Sequence, residues 1–146
     1  MNSKSSKSSL FLIELIVVIL FFSISSAIIV QIFAKAHEID LKSRALTFSS
    51  REIQNVAECY RSVQGDYDQT IFLLNDQTVF LLENGFEIYY TSDFQACDLP
   101  DPNGYLLHAD FSQISDFRIL TLSMIACSSN ETLYEITIEK YDHLVH

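Results

Sequence analysis

The first part of the chain is dominated by an apolar run from Leu10 to Ala34, in which Glu14 is the only ionisable side chain. The last 20 residues of the run, 15–34, carry no charge. At about 1.5 Å per residue, such a stretch of helix measures roughly 30 Å, the thickness of the hydrocarbon core of a bilayer. The pattern therefore predicts one membrane-spanning helix at residues 10–34. Glu14 is exceptional there, because a charged side chain at mid-membrane costs roughly 3 kcal/mol.

A secretory signal peptide is the alternative interpretation of this run, because residues 25–27, Ser-Ser-Ala, resemble a small-residue cleavage site. The run is longer than the apolar part of a signal peptide, and cleavage after Ala27 would leave an exposed apolar N-terminus. The pattern therefore favours a retained membrane helix. Basic residues leave its orientation open, since they flank the run on both sides. They are Lys4 and Lys7 before it and Lys35, Lys42, Arg44 and Arg51 after it.

Helical spacing continues beyond the apolar run, and neither glycine nor proline occurs before Gly65. Apolar residues recur seven positions apart, at Ile39, Leu46, Ile53 and Tyr60. This spacing predicts one continuous helix over residues 10–64, ended by Gly65 in the left-handed conformation. Its upper half, residues 35–64, is amphipathic, and we expect the rest of the chain to cover the apolar stripe.

After Gly65 the apolar period changes from about 3.6 to 2, which predicts a small sheet in residues 65–146. Asn84-Gly85 lies between two apolar runs and predicts a hairpin, whereas residues 92–104 contain both prolines and predict a loop. Six strands are predicted, at residues 70–74, 78–82, 86–90, 105–111, 116–126 and 133–141. Alternation in the last two places Leu120, Leu122, Met124, Tyr134, Ile136 and Ile138 on the inner face. The predicted fold class is α+β, with a long N-terminal helix whose upper half packs on a mostly antiparallel sheet.

Negative charge is concentrated in the predicted sheet region. Residues 65–146 contain 14 acidic side chains against only Arg118 and Lys140, a net charge of −12 in a chain whose total is −10. Nucleic acid and anionic lipid would be repelled by such a surface. We therefore predict no nucleic-acid contact for this region.

The cysteines are too few and too scattered for a disulfide framework, and no C-x-x-C motif occurs. They are Cys59, Cys97 and Cys127. If the sheet region lies outside the cytoplasm, Cys97–Cys127 is the candidate disulfide. The odd number leaves one thiol over in that case.

No motif in the sequence predicts catalysis. The chain has no phosphate-binding loop, no H-E-x-x-H, no G-x-S-x-G and no Rossmann glycine pattern. Asp98, Asp101 and Asn103 place oxygen ligands in one loop, but their spacing matches no strong calcium loop and favours an ordinary acidic turn. We therefore predict no enzyme activity, no metal site and no cofactor.

The N-terminal stretch SSLFLIEL, residues 8–15, carries a more specific pattern. A short basic leader is followed by a small residue and then by the apolar run, whose fifth position is a glutamate. In these features the chain resembles the type IV prepilins and pseudopilins over about residues 4–34. Ser9 occupies the last leader position, where the family most often has glycine. Leu10 occupies the first mature position, where the family usually has phenylalanine.

This resemblance implies a role for each part of the N-terminal segment. Residues 1–9 would be a cytoplasmic leader that a membrane-embedded prepilin peptidase cuts between Ser9 and Leu10, and the new amine of Leu10 would be methylated. Glu14 would pair with the N-terminal amine of a neighbouring subunit, which offsets the cost of two charges in an apolar surrounding. Residues 65–146 would be the extracytoplasmic domain of a single-pass protein in the bacterial inner membrane.

The partners implied are the prepilin peptidase, membrane lipid before assembly, and other pilin-like subunits bound through the N-terminal helix. The function implied is that of a structural subunit in a type II secretion, competence or type IV pilus filament. The alternative is a bitopic membrane protein that does not assemble and whose extracytoplasmic domain binds a partner. An anchored hydrolase is disfavoured, because no catalytic motif is present.

Overall fold

The fold is given by a computed structural model that describes residues 3–74 and 78–141, with side chains from residue 9 onward. The helices are α1 (Ser3–Ser62) and α2 (Tyr67–Leu73). The strands are β1 (Phe80–Leu82), β2 (Gly85–Tyr90), β3 (Ala96–Cys97), β4 (Tyr105–Ile114), β5 (Phe117–Ala126) and β6 (Glu131–Tyr141). The fold class is α+β, as predicted. The described residues divide into two units on either side of the Ser43–Arg44 bond.

The sheet has the strand order β1-β2-β4-β5-β6, and β3 pairs with β2 beside β1. Every pair is antiparallel. Leu107 lies opposite Met124, and Leu122 lies opposite Ile136, so these side chains share one face of the sheet. That face is covered by the part of α1 that follows Arg44.

The hydrophobic core lies between this part of α1 and the sheet. The helix contributes Phe48, Ile53, Val56, Ala57 and Tyr60, and the sheet contributes Phe86, Ile88, Leu107, Ala109, Leu120, Leu122, Met124 and Ile138. The predicted inner face of the last two strands is confirmed, because Tyr134 and Ile136 also pack against this core, half-buried at its border.

The apolar stripe predicted on α1 is only half covered. Ile53 and Tyr60 are fully buried, but the prediction for Ile39 and Leu46 was wrong, since they are 58% and 45% exposed. The covered face starts at Ala45 and continues through Phe48. Leu46 follows Ala45 by one residue, so it points about 100° away from it around the helix.

The end of α1 confirms the predicted role of Gly65, which has a φ of 81°. The left-handed turn starts one residue earlier, at Gln64 with a φ of 58°. The amide of Gly65 donates to the carbonyl of Tyr60, and the amide of Gln64 donates to the carbonyl of Arg61. These two bonds form a Schellman motif. The helix itself is continuous, but it starts within the predicted leader, at Ser3.

Two predictions for the sheet region were wrong. Residues 70–74 do not form a strand, because they belong to α2 and the residue after it. The predicted loop 92–104 contains the short strand β3. Residues 75–77, which separate the first two predicted strands, lie outside the described residues.

The predicted hairpin at Asn84-Gly85 connects β1 to β2, with Leu82 opposite Gly85. Neither Asn84 nor Gly85 has a positive φ, so glycine is not needed there for the turn conformation. It is needed for space, since a Cβ at Gly85 would overlap the carbonyl oxygen of Ala109 on β4. A close approach of two strands explains this glycine.

Candidate membrane and assembly segment

The described part of the first unit is helical, and almost none of its described side chains is covered by other described residues. From residue 9 to residue 43 every side chain is exposed, except for the half-exposed Ser25. The described residues contain one helix that is long and apolar enough to cross a membrane, and it is α1. The structure is therefore compatible with a single membrane anchor formed by residues 10–34.

The polar groups of this segment are few. The hydroxyl of Ser23 donates to the carbonyl of Ile19 at 2.8 Å, inside the helix. A helix also satisfies its own backbone groups, which is the requirement for a segment surrounded by lipid. Glu14 is different, because its carboxylate is exposed and forms no hydrogen bond or ion pair with any side chain described from residue 9 onward. It is the one charge in the segment, and no side chain described from residue 9 onward pairs with it.

The predicted cleavage residues Ser9 and Leu10 both lie on the exposed surface of α1. Leu10 precedes Glu14 by four residues, so the two lie on the same face of the helix, one turn apart. The backbone around Ser9 is helical. A peptidase that acts on an extended segment would therefore have to unwind the helix locally at the Ser9–Leu10 bond.

Charged side chains begin directly after the apolar run. Glu38 accepts hydrogen bonds from Lys35 at 2.8 Å and pairs with Lys42 at 3.3 Å. The hydrogen bond with Lys35, followed by that with Lys42, lowers the pKa of Glu38. This turn of the helix is suited to water, and it agrees with an end of the apolar segment at Ala34.

The second unit contains a buried carboxylate that the sequence analysis did not single out. The side chain of Glu52 is 10% exposed and accepts from the Nε of Arg51 at 3.2 Å. The hydroxyl of Tyr90 donates to its other oxygen at 3.4 Å. The position of Glu52 on the covered face of α1, next to Ile53, is the signal that could have identified it. Its contacts link the helix to β2.

A second polar cluster lies on the outer face of the sheet, away from α1. Glu87 accepts from the hydroxyl of Tyr89 at 2.7 Å and lies 3.2 Å from the Nδ1 of His108. The hydrogen bond with Glu87 is the main cause that raises the pKa of Tyr89. The register places Glu87 directly opposite His108. Sequence reasoning missed this cluster because it requires the pairing of β2 with β4.

The three cysteines are free thiols. Cys97 lies on β3, which pairs with β2, whereas Cys127 directly follows β5. Strands β2 and β4 lie between β3 and β5 in the sheet. Burial, followed by the negative charge of Asp101, raises the pKa of the Cys127 thiol, which disfavours the reactive thiolate. The disulfide Cys97–Cys127 stays a prediction.

The carboxylates of the 98–103 loop bind groups of the protein itself. The hydroxyl of Thr78 donates to Asp98 at 2.6 Å. Asp101 accepts from the backbone amides of Ser92 at 3.1 Å and Asn103 at 3.0 Å. These bonds hold the loop in shape, and no group of three or more potential metal ligands occurs among the residues that the structure describes.

Comparisons of the chain with protein-family models, with curated proteins and with solved structures found no match.

Proposed function

We propose that this chain is a pilin-like structural subunit. It is anchored in the membrane by residues 10–34 and loses residues 1–9 to a prepilin peptidase. It then assembles with other pilin-like subunits, through this part of the helix, into a type II secretion, competence or type IV pilus filament.

The observation that carries this proposal is the single unpaired charge of the exposed apolar segment. Glu14 has no partner among the side chains described from residue 9 onward, and the first lysine after it along α1 is Lys35. In a helix the two lie about 30 Å apart, too far for an ion pair. A carboxylate in an apolar surrounding needs an opposite charge, because an uncompensated buried charge is strongly unfavourable.

The amine that cleavage would create at Leu10 supplies such a charge. A second subunit can bring its own amine to Glu14, and each subunit then offers one carboxylate and one amine. The exposed apolar side chains around Glu14 would pack against the helices of the neighbours. Both groups lie on the same helix face, so neighbours that are shifted along the helix axis by about one turn can repeat the same contact.

The proposal also assigns the orientation. Residues 1–9 lie in the cytoplasm, and the acidic unit that begins at Arg44 lies outside it. Among the described residues this unit has its own hydrophobic core, so it can fold on the far side of the membrane around that core.

The mature N-terminus tests this proposal. Mass spectrometry of the protein purified from the membranes of cells with an active prepilin peptidase should find a chain that starts at Leu10 with a methylated amine. Ser9→Leu should leave the chain uncut, since the peptidase implied by the resemblance requires a small residue there. Ser9→Ala is the matched control and should be processed.

A wild-type chain that retains residues 1–9 in these cells would contradict the proposal. It would favour the alternative, a bitopic membrane protein that stays in the bilayer. Normal processing of Ser9→Leu would show that the cleavage site is elsewhere.

A further inference from the structure

The last strand of the sheet has an open edge. Strand β6 is 11 residues long and, among the described residues, pairs with β5 alone. An antiparallel strand directs its backbone N–H and C=O groups alternately to its two sides, so about half of the residues of β6 direct theirs away from β5. These groups form a row to which a further strand can bind.

Over its middle, residues 134–139, this edge lacks the usual protection against strand addition. Protected edges are short, contain proline, or carry inward-pointing charges and repeated lysines. The other edge of the sheet fits that description, since β1 has only three residues. Strand β6 has no proline, and its protection is limited to its two ends: the inward-pointing Lys140 near the last residue and one register irregularity near the first. A long edge of this kind indicates a strand that is covered in the functional state.

The two faces along the edge have different chemistry. On the outer face, Glu135 and Glu139 are exposed and form no ion pair with another described residue. On the helix side, Tyr134 and Ile136 pack against the core but remain half-buried. Tyr134 lines a groove of about 570 Å³ between β6 and α1, together with Leu46, Thr47 and Arg51 among others.

Few cations are available to the outer face. Arg118 and Lys140, the only basic residues after residue 65, lie on the helix side: Arg118 donates to the carbonyl of Gly65 at 3.5 Å, and the side chain of Lys140 lies beside Gly65. The glutamates of β6 therefore face outward with no lysine or arginine beside them in the described part of the chain.

We propose that β6 binds an extended segment of a partner protein by strand addition, and that basic and apolar side chains alternate along this segment. The backbone of the segment continues the sheet. Its basic side chains lie opposite Glu135 and Glu139, where opposite charges across strands are favourable. Its apolar side chains enter the groove beside Tyr134 and also cover Ile136.

A second copy of this chain fits the edge less well. The region beyond residue 65 has a net charge of −12, so two copies repel each other. Antiparallel pairing of two β6 strands about Thr137 would also set Glu135 opposite Glu139 on both sides, and like charges directly opposite are destabilising.

Hydrogen exchange of the full chain in detergent micelles tests this inference. The probe is a synthetic peptide in which lysine and valine alternate, and the control peptide has the same composition with lysines and valines in two separate blocks. The alternating peptide should slow the exchange of every second β6 amide by about tenfold or more, and added salt should weaken the effect. The block peptide should leave these amides unchanged.

Three results would overturn the inference. They are unchanged exchange of the β6 amides, equal protection by the block peptide, and protection that rises with protein concentration in the absence of peptide, which would indicate a second copy. Glu135→Lys combined with Glu139→Lys provides an independent arm, since both positions are exposed and the fold should be kept. This variant should prefer an alternating glutamate–valine peptide, and an unchanged preference for the lysine peptide would also refute the charge pairing.

Discussion

Gly85 is a residue at which a single added carbon should disturb the sheet. Alanine there would place its Cβ against the carbonyl oxygen of Ala109, so β2 and β4 would have to separate. We expect Gly85→Ala to lower the free energy of unfolding by about 3 kcal/mol, as for severe overpacking. Urea unfolding followed by circular dichroism measures this change. Asn84→Ala, in the exposed turn, is the matched control and should cost less than about 0.5 kcal/mol. Equal unfolding free energies for the two variants would contradict the close approach.

Tyr90 should make the folded state sensitive to alkali. Burial, and then the neighbouring Glu52 carboxylate, raise the pKa of Tyr90 above its usual 10.0. A pKa that is raised in the folded state gives stabilisation that is complete below the pKa of the unfolded state and is lost as the pH rises through the folded-state pKa. The free energy of unfolding should therefore fall above about pH 10.

Urea unfolding at several pH values measures this fall, and Tyr90→Phe is the matched variant. Its free energy of unfolding should decrease less steeply above about pH 10, because only the other tyrosines still titrate. The comparison concerns the slope with pH, since the loss of the hydrogen bond to Glu52 lowers the free energy of unfolding by a constant amount only below about pH 10, where Tyr90 is protonated in both states. Identical slopes in the two proteins would refute the assigned pKa shift.

At the scale of elements, α2 shows a cap that outweighs strand propensity. Residues 70–74 are rich in residues that favour strands, but Asp66 precedes them as an N-cap, and its carboxylate accepts from the amide of Gln69 at 2.9 Å. The order Asp-x-x-Gln resembles a capping box. Asp66→Ala should reduce the free energy of unfolding by about 1 kcal/mol. Asp66→Asn should reduce it by much less, because asparagine also caps well. Equal losses in urea unfolding would show that the cap is unimportant.

The elements that the sequence predicted correctly are those with a sustained period. The strands of the β4–β6 meander alternate over about ten residues, and α1 has no helix-breaking residue before Gly65. Short elements were missed because their conformation depends on neighbours. Strand β3 has two residues and is defined by its pairing with Tyr89 and Tyr90, which no local pattern encodes.

The coverage of α1 was only half predictable for a similar reason. A seven-residue spacing identifies one stripe of the helix, but the sheet covers a face that begins at Ala45 and includes the polar Ser49 and Glu52. Which face is covered depends on where the sheet lies against the helix. The sequence shows which residues of the helix are apolar, whereas the packing of the sheet determines which of them are buried.

At the scale of the whole molecule, the two units differ in the exposure of their apolar side chains. Residues 10–34 leave theirs exposed, whereas the unit after Arg44 buries a core beneath an acidic surface. Ser9, Leu10 and Glu14 could be singled out from the sequence because the motif is local, and their roles stay predictions. The partner of Glu14 could not be found in the structure of one chain, since the proposed contact joins two subunits.

The proposed role of Glu14 in assembly is best tested by counting variants in filaments sheared from cells. Glu14→Ala and Glu14→Gln should insert into the membrane and lose residues 1–9 as the wild type does. Neither supplies a negative charge for a neighbour's amine, and an uncompensated buried charge costs about 3–5 kcal/mol. Gln31→Ala changes the other large polar side chain of the apolar run and is the matched control.

The measurement is the amount of each mature variant in the sheared filaments, divided by its amount in the membrane. This ratio should fall by about a hundredfold or more for Glu14→Ala and Glu14→Gln, and it should stay at the wild-type value for Gln31→Ala. Incorporation of both Glu14 variants at the wild-type ratio would contradict the account, because Glu14 would then serve no pairing between subunits.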